Sequence, residues 1–244
     1  MPVSKISGLE YEIMYKGSFA MLQVAIPHGH SFMAESDAMV AMSSTLEIGA
    51  TSQGGITGAI GRMFTNERLF QQTIRAVGGD GVAFFSPTLP GDIAAVEMDG
   101  ECEYMMCSDG YFASTEGINM GTQLNGMNSG GIGGVISKGL FSGNGFLVAT
   151  ASGRGTLFIS SYGAIDHIDI PHGEKFVIDN GHLVAWPTTM MYRVRQASSQ
   201  GILASLFSGE CLVLEFQGPG RVYFQSRNIA SLKGFIRSVV PPSR

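Results

Sequence analysis

Charge, cysteine and long apolar runs are what this sequence has least of. Only 14% of its 244 residues are charged, and the formal balance is −5. No run or stripe of Lys and Arg occurs, which argues against a protein that draws its affinity from neutralising phosphates. Single-stranded RNA sites need basic groups interleaved with exposed aromatics. Most of the 15 Phe fall instead at repeated, core-type positions, so nucleic acid is not an expected partner. Three cysteines make an odd number with no framework spacing, which fits a reducing compartment and no disulfide scaffold. Cys102 and Cys107 lie five apart within an apparent strand pair, an arrangement that disfavours a shared metal. No window reaches the apolar length that spans a bilayer. Met1 to Ser7 carries neither an apolar signal core nor an Arg-rich presequence, so the expectation is a cytoplasmic protein. Gly-x-Ser-x-Gly elbows, Walker A loops and HExxH helices are also missing, which leaves no standard catalytic signature and no cofactor to expect.

Glycine, by contrast, is abundant. The 34 Gly residues and a positive mean hydropathy describe a tightly turned globular chain. The glycines also mark a repeat. Val24, Val96 and Ile168 are spaced by seventy-two residues, and so are Ala41, Ala113 and Ala185. Between them recur a Gly (Gly29, Gly100, Gly173) and then an aromatic (Phe32, Tyr104, Phe176). A polar or small turn follows at Ser36 to Ala38, Ser108 to Gly110 and Asn180 to His182. A period of this kind is an architectural signal. Each unit would be marginal alone, so the expectation is a single domain, 1–244, in which units 8–81, 82–155 and 156–228 bury their apolar faces against one another, followed by a C-terminal helix over 229–240.

Within the units, period-two alternation predicts strands. Leu22, Val24 and Ile26 alternate with Gln23 and Ala25, and Ala94, Val96 and Met98 with Ala95 and Glu97. In the third unit Ile168 and Ile170 alternate with His167 and Asp169. Pro27 and Pro171 precede His-Gly and mark turns. A second alternating run puts Leu46 and Ile48 in register with Ile118 and Met120, then with Met190 and Tyr192. Trp186 is expected to cap the edge of the core. Gly-rich segments with apolar residues three and four apart, at 54–64, 130–141 and 201–207, predict short amphipathic accessory helices. Each unit is expected to close on a hairpin, turning at Gly78 to Gly81, at Gly153 to Gly155 and at Gly218 to Gly220. Asp80 in the first of these needs no role beyond the turn. Asn228 is a good N-cap for the stripe Ile229, Leu232, Phe235, Ile236, Val239 and Val240, which Pro241 ends. This helix is expected to pack on its own domain.

Three β-rich units, the Pro-x-Gly turn followed by a late Ala, and Gly-rich segments ending in Leu-Phe-Ser-Gly (Leu140 to Gly143, Leu206 to Gly209) resemble the family named for altered inheritance of mitochondria, in its prokaryotic branch. The resemblance covers residues 7 to 237. It implies an all-β fold similar to the tryptophan RNA-binding attenuation protein, a TRAP-like sandwich or prism of three β units around a pseudo-threefold axis. It also implies a self-associating homo-oligomer, with a trimer among the compatible states, that is soluble or membrane-peripheral. Mitochondrial members of the family are linked to inner-membrane organisation; Met1 to Ser7 does not read as a presequence, so the expectation is that their role cannot simply be carried over. Fold is what the motifs speak to, since none of them is catalytic.

Two polar constellations compete with simple turns. His28, His30 and Glu35 have the H-x-H-x4-E spacing of the first cupin metal motif, and two imidazoles with a carboxylate suit iron, zinc or manganese. The cupin glycines are replaced by Leu22 and Met42 and no second motif follows. The repeat matches His28 to His172, His30 to Glu174 and Glu35 to Asp179, as surface turn residues would be matched. A second set comprises His167, His172 and His182 with Asp166, Asp169 and Asp179. The non-catalytic alternative lies in the Gly-rich segments. Ile56, Ile60 and Phe64, Ile132, Ile136 and Phe141, and Ile202, Leu206 and Phe207 would form an apolar interaction surface for a protein partner, a neighbouring subunit or a membrane. The sequence therefore predicts a self-associating scaffold or interaction protein, with a cupin-like metal-dependent enzyme as the alternative.

Overall fold

A computed structural model describes residues 6–50, 71–107, 109–122, 148–196 and 212–240. The accessory helices expected at 54–64, 130–141 and 201–207 lie outside these residues, and with them every residue of the expected apolar surface from Ile56 to Phe207.

The described chain is all-β apart from one α-helix and one 3-10 turn. After β1 (Glu10–Met14), the first unit comprises β2 (Met21–Ile26), β3 (Ser31–Glu35), β4 (Met39–Met42), β5 (Leu46–Ala50), β6 (Gln71–Ala76) and β7 (Gly81–Phe85). The second comprises β8 (Ile93–Asp99), β9 (Tyr104–Cys107), β10 (Tyr111–Thr115), β11 (Ile118–Thr122) and β12 (Val148–Ser160). The third comprises β13 (Ile165–Ile170), β14 (Lys175–Asp179), β15 (Leu183–Pro187), β16 (Met191–Gln196), β17 (Leu212–Gln217) and β18 (Gly220–Gln225). Helix α1 (Ile229–Val239) follows.

Alternation sets which side chains go inside. Leu22, Val24 and Ile26 of β2 are fully buried, as are Val96 and Met98 of β8, while their neighbours are partly or fully in water. These strands all pair antiparallel. In the first unit β7 lies between β2 and β4, and β6 between β3 and β5. In the third, β18 lies between β13 and β15, and β17 between β14 and β16. The second unit makes the corresponding pairings with one strand. The C-terminal half of β12 pairs with β8 and β10, and its N-terminal half with β9 and β11. The hairpin expected at Gly153 to Gly155 is therefore not formed. The glycines sit inside a continuous 13-residue strand and let it pass from one set of partners to the other. Gly153 has φ 101°, and a Cβ there would collide with the Gly117 carbonyl.

Two strand pairs join consecutive units. β3 pairs with β10, and β9 pairs with β15. The cores follow these joints. One cluster packs Phe32, Phe85, Leu22 and Ile74 of the first unit with Phe112, Ala113 and Phe158 of the second. The next packs Met98, Met106 and Tyr111 of the second with Val184, Ala185 and Tyr223 of the third. The last is made of third-unit residues, Trp186, Phe216, Leu214 and Val222 among them, with Met105 and Cys107 at its margin. Trp186 does not cap an edge. It is fully buried, with its ring edge-on to Tyr192 and Phe216 at 5.9 and 5.7 Å, and its Nε1 finds no hydrogen-bond partner among the described residues. Burial of its large apolar area outweighs one unmade hydrogen bond.

Candidate functional site

His28 and His30 occupy the turn between β2 and β3. Gly29 has φ 81° and Gly173, in the matching turn between β13 and β14, has φ 84°. A Cβ at either position would stand in open space, so backbone conformation and not crowding demands glycine at both. The turn is tied down from below. Gly29 N–H donates to the Ala76 carbonyl, and His28 N–H donates to Asp80 Oδ1 at 2.8 Å. Asp80 thus has a role beyond its own turn, since it caps the neighbouring one. Both imidazoles are exposed, and the His30 Nδ1 lies 3.4 Å from the His28 carbonyl.

Glu35 is at the far end of β3. It lies five residue steps along an extended chain from His30, about 16 Å at the usual strand rise. The H-x-H-x4-E set is therefore not assembled, because an extended strand pulls apart residues that a cupin turn would fold together. Among the described residues no three His, Cys, Asp or Glu side chains are grouped to hold a metal. Glu35 has a different neighbourhood. Burial, then the charges of Asp109 and Asp37, raise its pKa to about 7. Its own carbonyl accepts from Gln72 Nε2. A half-buried carboxyl flanked by two more is a proton-binding feature at the joint between the first two units.

The second set is likewise divided among separate tasks. Asp169 holds Arg221 through two hydrogen bonds of 2.6 and 2.7 Å, and that guanidinium keeps its carboxyl below the usual range. Asp179 caps the 3-10 turn by accepting from Gly181 N–H. His182 Nδ1 bonds the Gln225 carbonyl at 2.7 Å, and the His167 ring lies tilted against that of Tyr223, with centroids 5.8 Å apart. Two of these contacts fasten β13 to β18, one fastens the 3-10 turn to β18, and the Asp179 bond closes that turn on itself, so the set is not a cluster.

Helix α1 departs most from expectation. Asn228 caps it, accepting from Ala230 N–H at 2.8 Å, but none of its residues is buried. Phe235, Ile236 and Val239 are exposed. The helix borders an open groove of about 330 Å³ lined by Tyr162, His182, Arg227, Leu232 and Phe235. The stripe is what the sequence predicted; the described residues supply nothing that buries it. Sequence periodicity likewise could not show that Val40 on β4 and Phe176 and Val177 on β14 stand exposed, because the same pattern is buried in the other units.

The comparisons with known proteins bear on family and fold. The chain is 32% identical over 233 residues to an uncharacterized protein of Streptococcus pyogenes serotype M6, covering 92% of this chain and 88% of that one. A Streptococcus pyogenes protein solved by X-ray crystallography in a structural genomics programme superimposes with a TM-score of 0.73 at 26% identity, covering 95% of this chain and all of the other. The family description headed mitochondrial biogenesis AIM24 matches residues 11–227, which take in all the strands but the first residue of β1. The chain belongs to the mitochondrial biogenesis AIM24 family.

Proposed function

We propose that the protein is a non-catalytic, self-associating scaffold or interaction module, built from three repeated TRAP-like β units joined in series, and working in the cytoplasm. The pairing scheme supports the repeat: β7 between β2 and β4 has its counterpart in β18 between β13 and β15, and in the C-terminal half of β12 between β8 and β10. One observation carries the functional part. Capped or paired secondary structure leaves apolar side chains in water, on α1 and on two strand edges, while the polar side chains are spent on turns and fastenings. Surfaces of that kind are built to be covered. Light scattering on the full chain across a concentration series tests the reading. An assembly larger than one chain is expected, and a monomer at every concentration would refute self-association.

The exposed helix favours a second, membrane-peripheral reading. From Gln217 to the end the sequence holds Arg221, Arg227, Lys233, Arg237 and Arg244 and no Asp or Glu, although the whole chain is acidic. Apolar residues on one face with cations beside them suit the interface of an anionic bilayer. Flotation with vesicles containing phosphatidylserine should retain the protein, and Phe235→Glu with Ile236→Glu should release it. No retention of the unaltered protein on these vesicles sinks this reading.

A further inference from the structure

We propose that copies of this chain join head to tail by strand pairing, the exposed edge of β14 on one copy adding to the exposed edge of β4 on the next. The inference rests on the self-association reading above and specifies its surface.

The two joints inside the chain give the rule. At the first, Ala113, Ser114 and Thr115 of β10 face Ala34, Met33 and Phe32 of β3. At the second, Ala185, Trp186 and Pro187 of β15 face Met106, Met105 and Tyr104 of β9. Every residue of the second joint is seventy-two positions beyond its counterpart in the first. Carried one step further, the third unit offers Ile178, Val177 and Phe176 of β14. The strand that answers to β10 and β15 is β4 of the first unit, with Ala41, Met42 and then Ser43. Among the described residues β14 pairs only with β17, and β4 only with β7. Each ends its sheet. The chain therefore has one half of the joint at each end and does not bring them together itself.

Burial shows what is missing. β4, β10 and β15 each break register once, between Met39 and Ala41, Tyr111 and Ala113, and Leu183 and Ala185. The residue at the break is Phe112 or Val184 at the two formed joints, and both are buried completely; at the open one it is Val40, 56% exposed. On the other strand Phe32 and Met33 are buried, whereas Phe176 and Val177 are 43% and 48% exposed. The cores agree. The first cluster is completed by Phe112, Ala113 and Phe158 of the following unit, and the second by Val184, Ala185 and Tyr223. The third has no such donors among the described residues. Their counterparts are Val40, Ala41 and its ladder partner Phe84, which only another copy can bring. An edge of this kind, with no charge in Met39–Met42 and charges only at the ends of Lys175–Asp179, lacks the usual protection against pairing. The contact is heterologous, so copies close into a ring or continue as a filament according to the rotation between them, with main-chain bonds supplying affinity as in β-augmentation generally.

Cross-linking tests the register. In the full chain carrying Cys102→Ser, Cys107→Ala and Cys211→Ser, one preparation receives Met42→Cys and another Val177→Cys. On mild oxidation each alone should stay uncrosslinked, their mixture should yield a disulfide-linked dimer, and the double variant a ladder of multiples or a covalent ring. A disulfide within single chains of the double variant would overturn the proposal by showing that the edges close internally. In the native background Val177→Lys, at a side chain already half in water, should reduce the assembly measured by light scattering to single chains while circular dichroism stays unchanged. An assembly that survives Val177→Lys and gives no mixed disulfide overturns this inference but leaves self-association standing. A monomer throughout overturns both.

Discussion

Glu35 gives a stability prediction whose sign and size can both be checked. Its pKa is raised from 4.5 to about 7, by burial first and by Asp109 and Asp37 next. In the unfolded chain those causes vanish, so between about pH 4.5 and 7 the folded state binds more protons than the unfolded one. The stabilisation is complete below the unfolded pKa and is lost as pH rises through the folded one. At about 1.4 kcal/mol per pH unit, the loss amounts to at most about 3 kcal/mol, reduced where solvent still reaches the carboxyl. Glu35→Gln keeps the shape and removes the titration. Urea unfolding of both proteins at pH 5, 6, 7 and 8, at one protein concentration, isolates the effect as a difference. The variant is expected to lie within about 1 kcal/mol of the parent at pH 5 and to become more stable than it by about 2–3 kcal/mol by pH 7, with the change falling between about pH 4.5 and 7 and levelling off above that. A difference that does not vary with pH would refute the reasoning, and one of opposite slope would mean that Glu35 is held by an unsuspected cation.

Other expected outcomes follow from single contacts. Trp186→Ala should cost about 3–5 kcal/mol through the cavity it leaves, whereas Trp186→Phe, which forfeits no hydrogen bond at Nε1, should cost roughly 1–2 kcal/mol; denaturant midpoints decide between them. As the sole Trp, it should also emit in the blue in the native protein and shift to the red on unfolding. Gly117→Ala would drive a Cβ into the Arg154 carbonyl and should lower the melting temperature by an amount equivalent to about 1–3 kcal/mol. Asp80→Ala should remove the bond to His28 N–H for about 1 kcal/mol, read as faster hydrogen exchange at His28 with no change in metal content.

Strand content was legible because the inward residues of β2 and β8 recur every second position, a period no helix tolerates. The turns at Gly29 and Gly173 were legible for the related reason that a positive φ leaves few residue types to choose from. Gly153 to Gly155 misled because two glycines read as a turn. What holds them extended is the ladder on each side, made with strands more than thirty residues away, and no local pattern reports it. The stripe of α1 was correct as a stripe, but periodicity states which face is apolar and not what lies against it. Spacing alone suggested a ligand set at His28, His30 and Glu35, and it took β3 to separate them. Edges are the extreme case. Met39–Met42 and Lys175–Asp179 read much like their buried counterparts, and only the order of strands in the sheets makes them ends.

The single strand β12 has a consequence for how the molecule comes apart. In the first and third units a turn separates the two ladders, so one can open while the other persists. In the middle unit both ladders are written on one rod of backbone, and pulling Val148 out of register displaces Ser160 as well. Subglobal openings should accordingly begin at the outer units and stall at the centre. Amides of β12 would then be the last to exchange with solvent, and a protease cut within Val148–Ser160 would undo the whole domain at once where a cut at Gly78 or Gly79 would not.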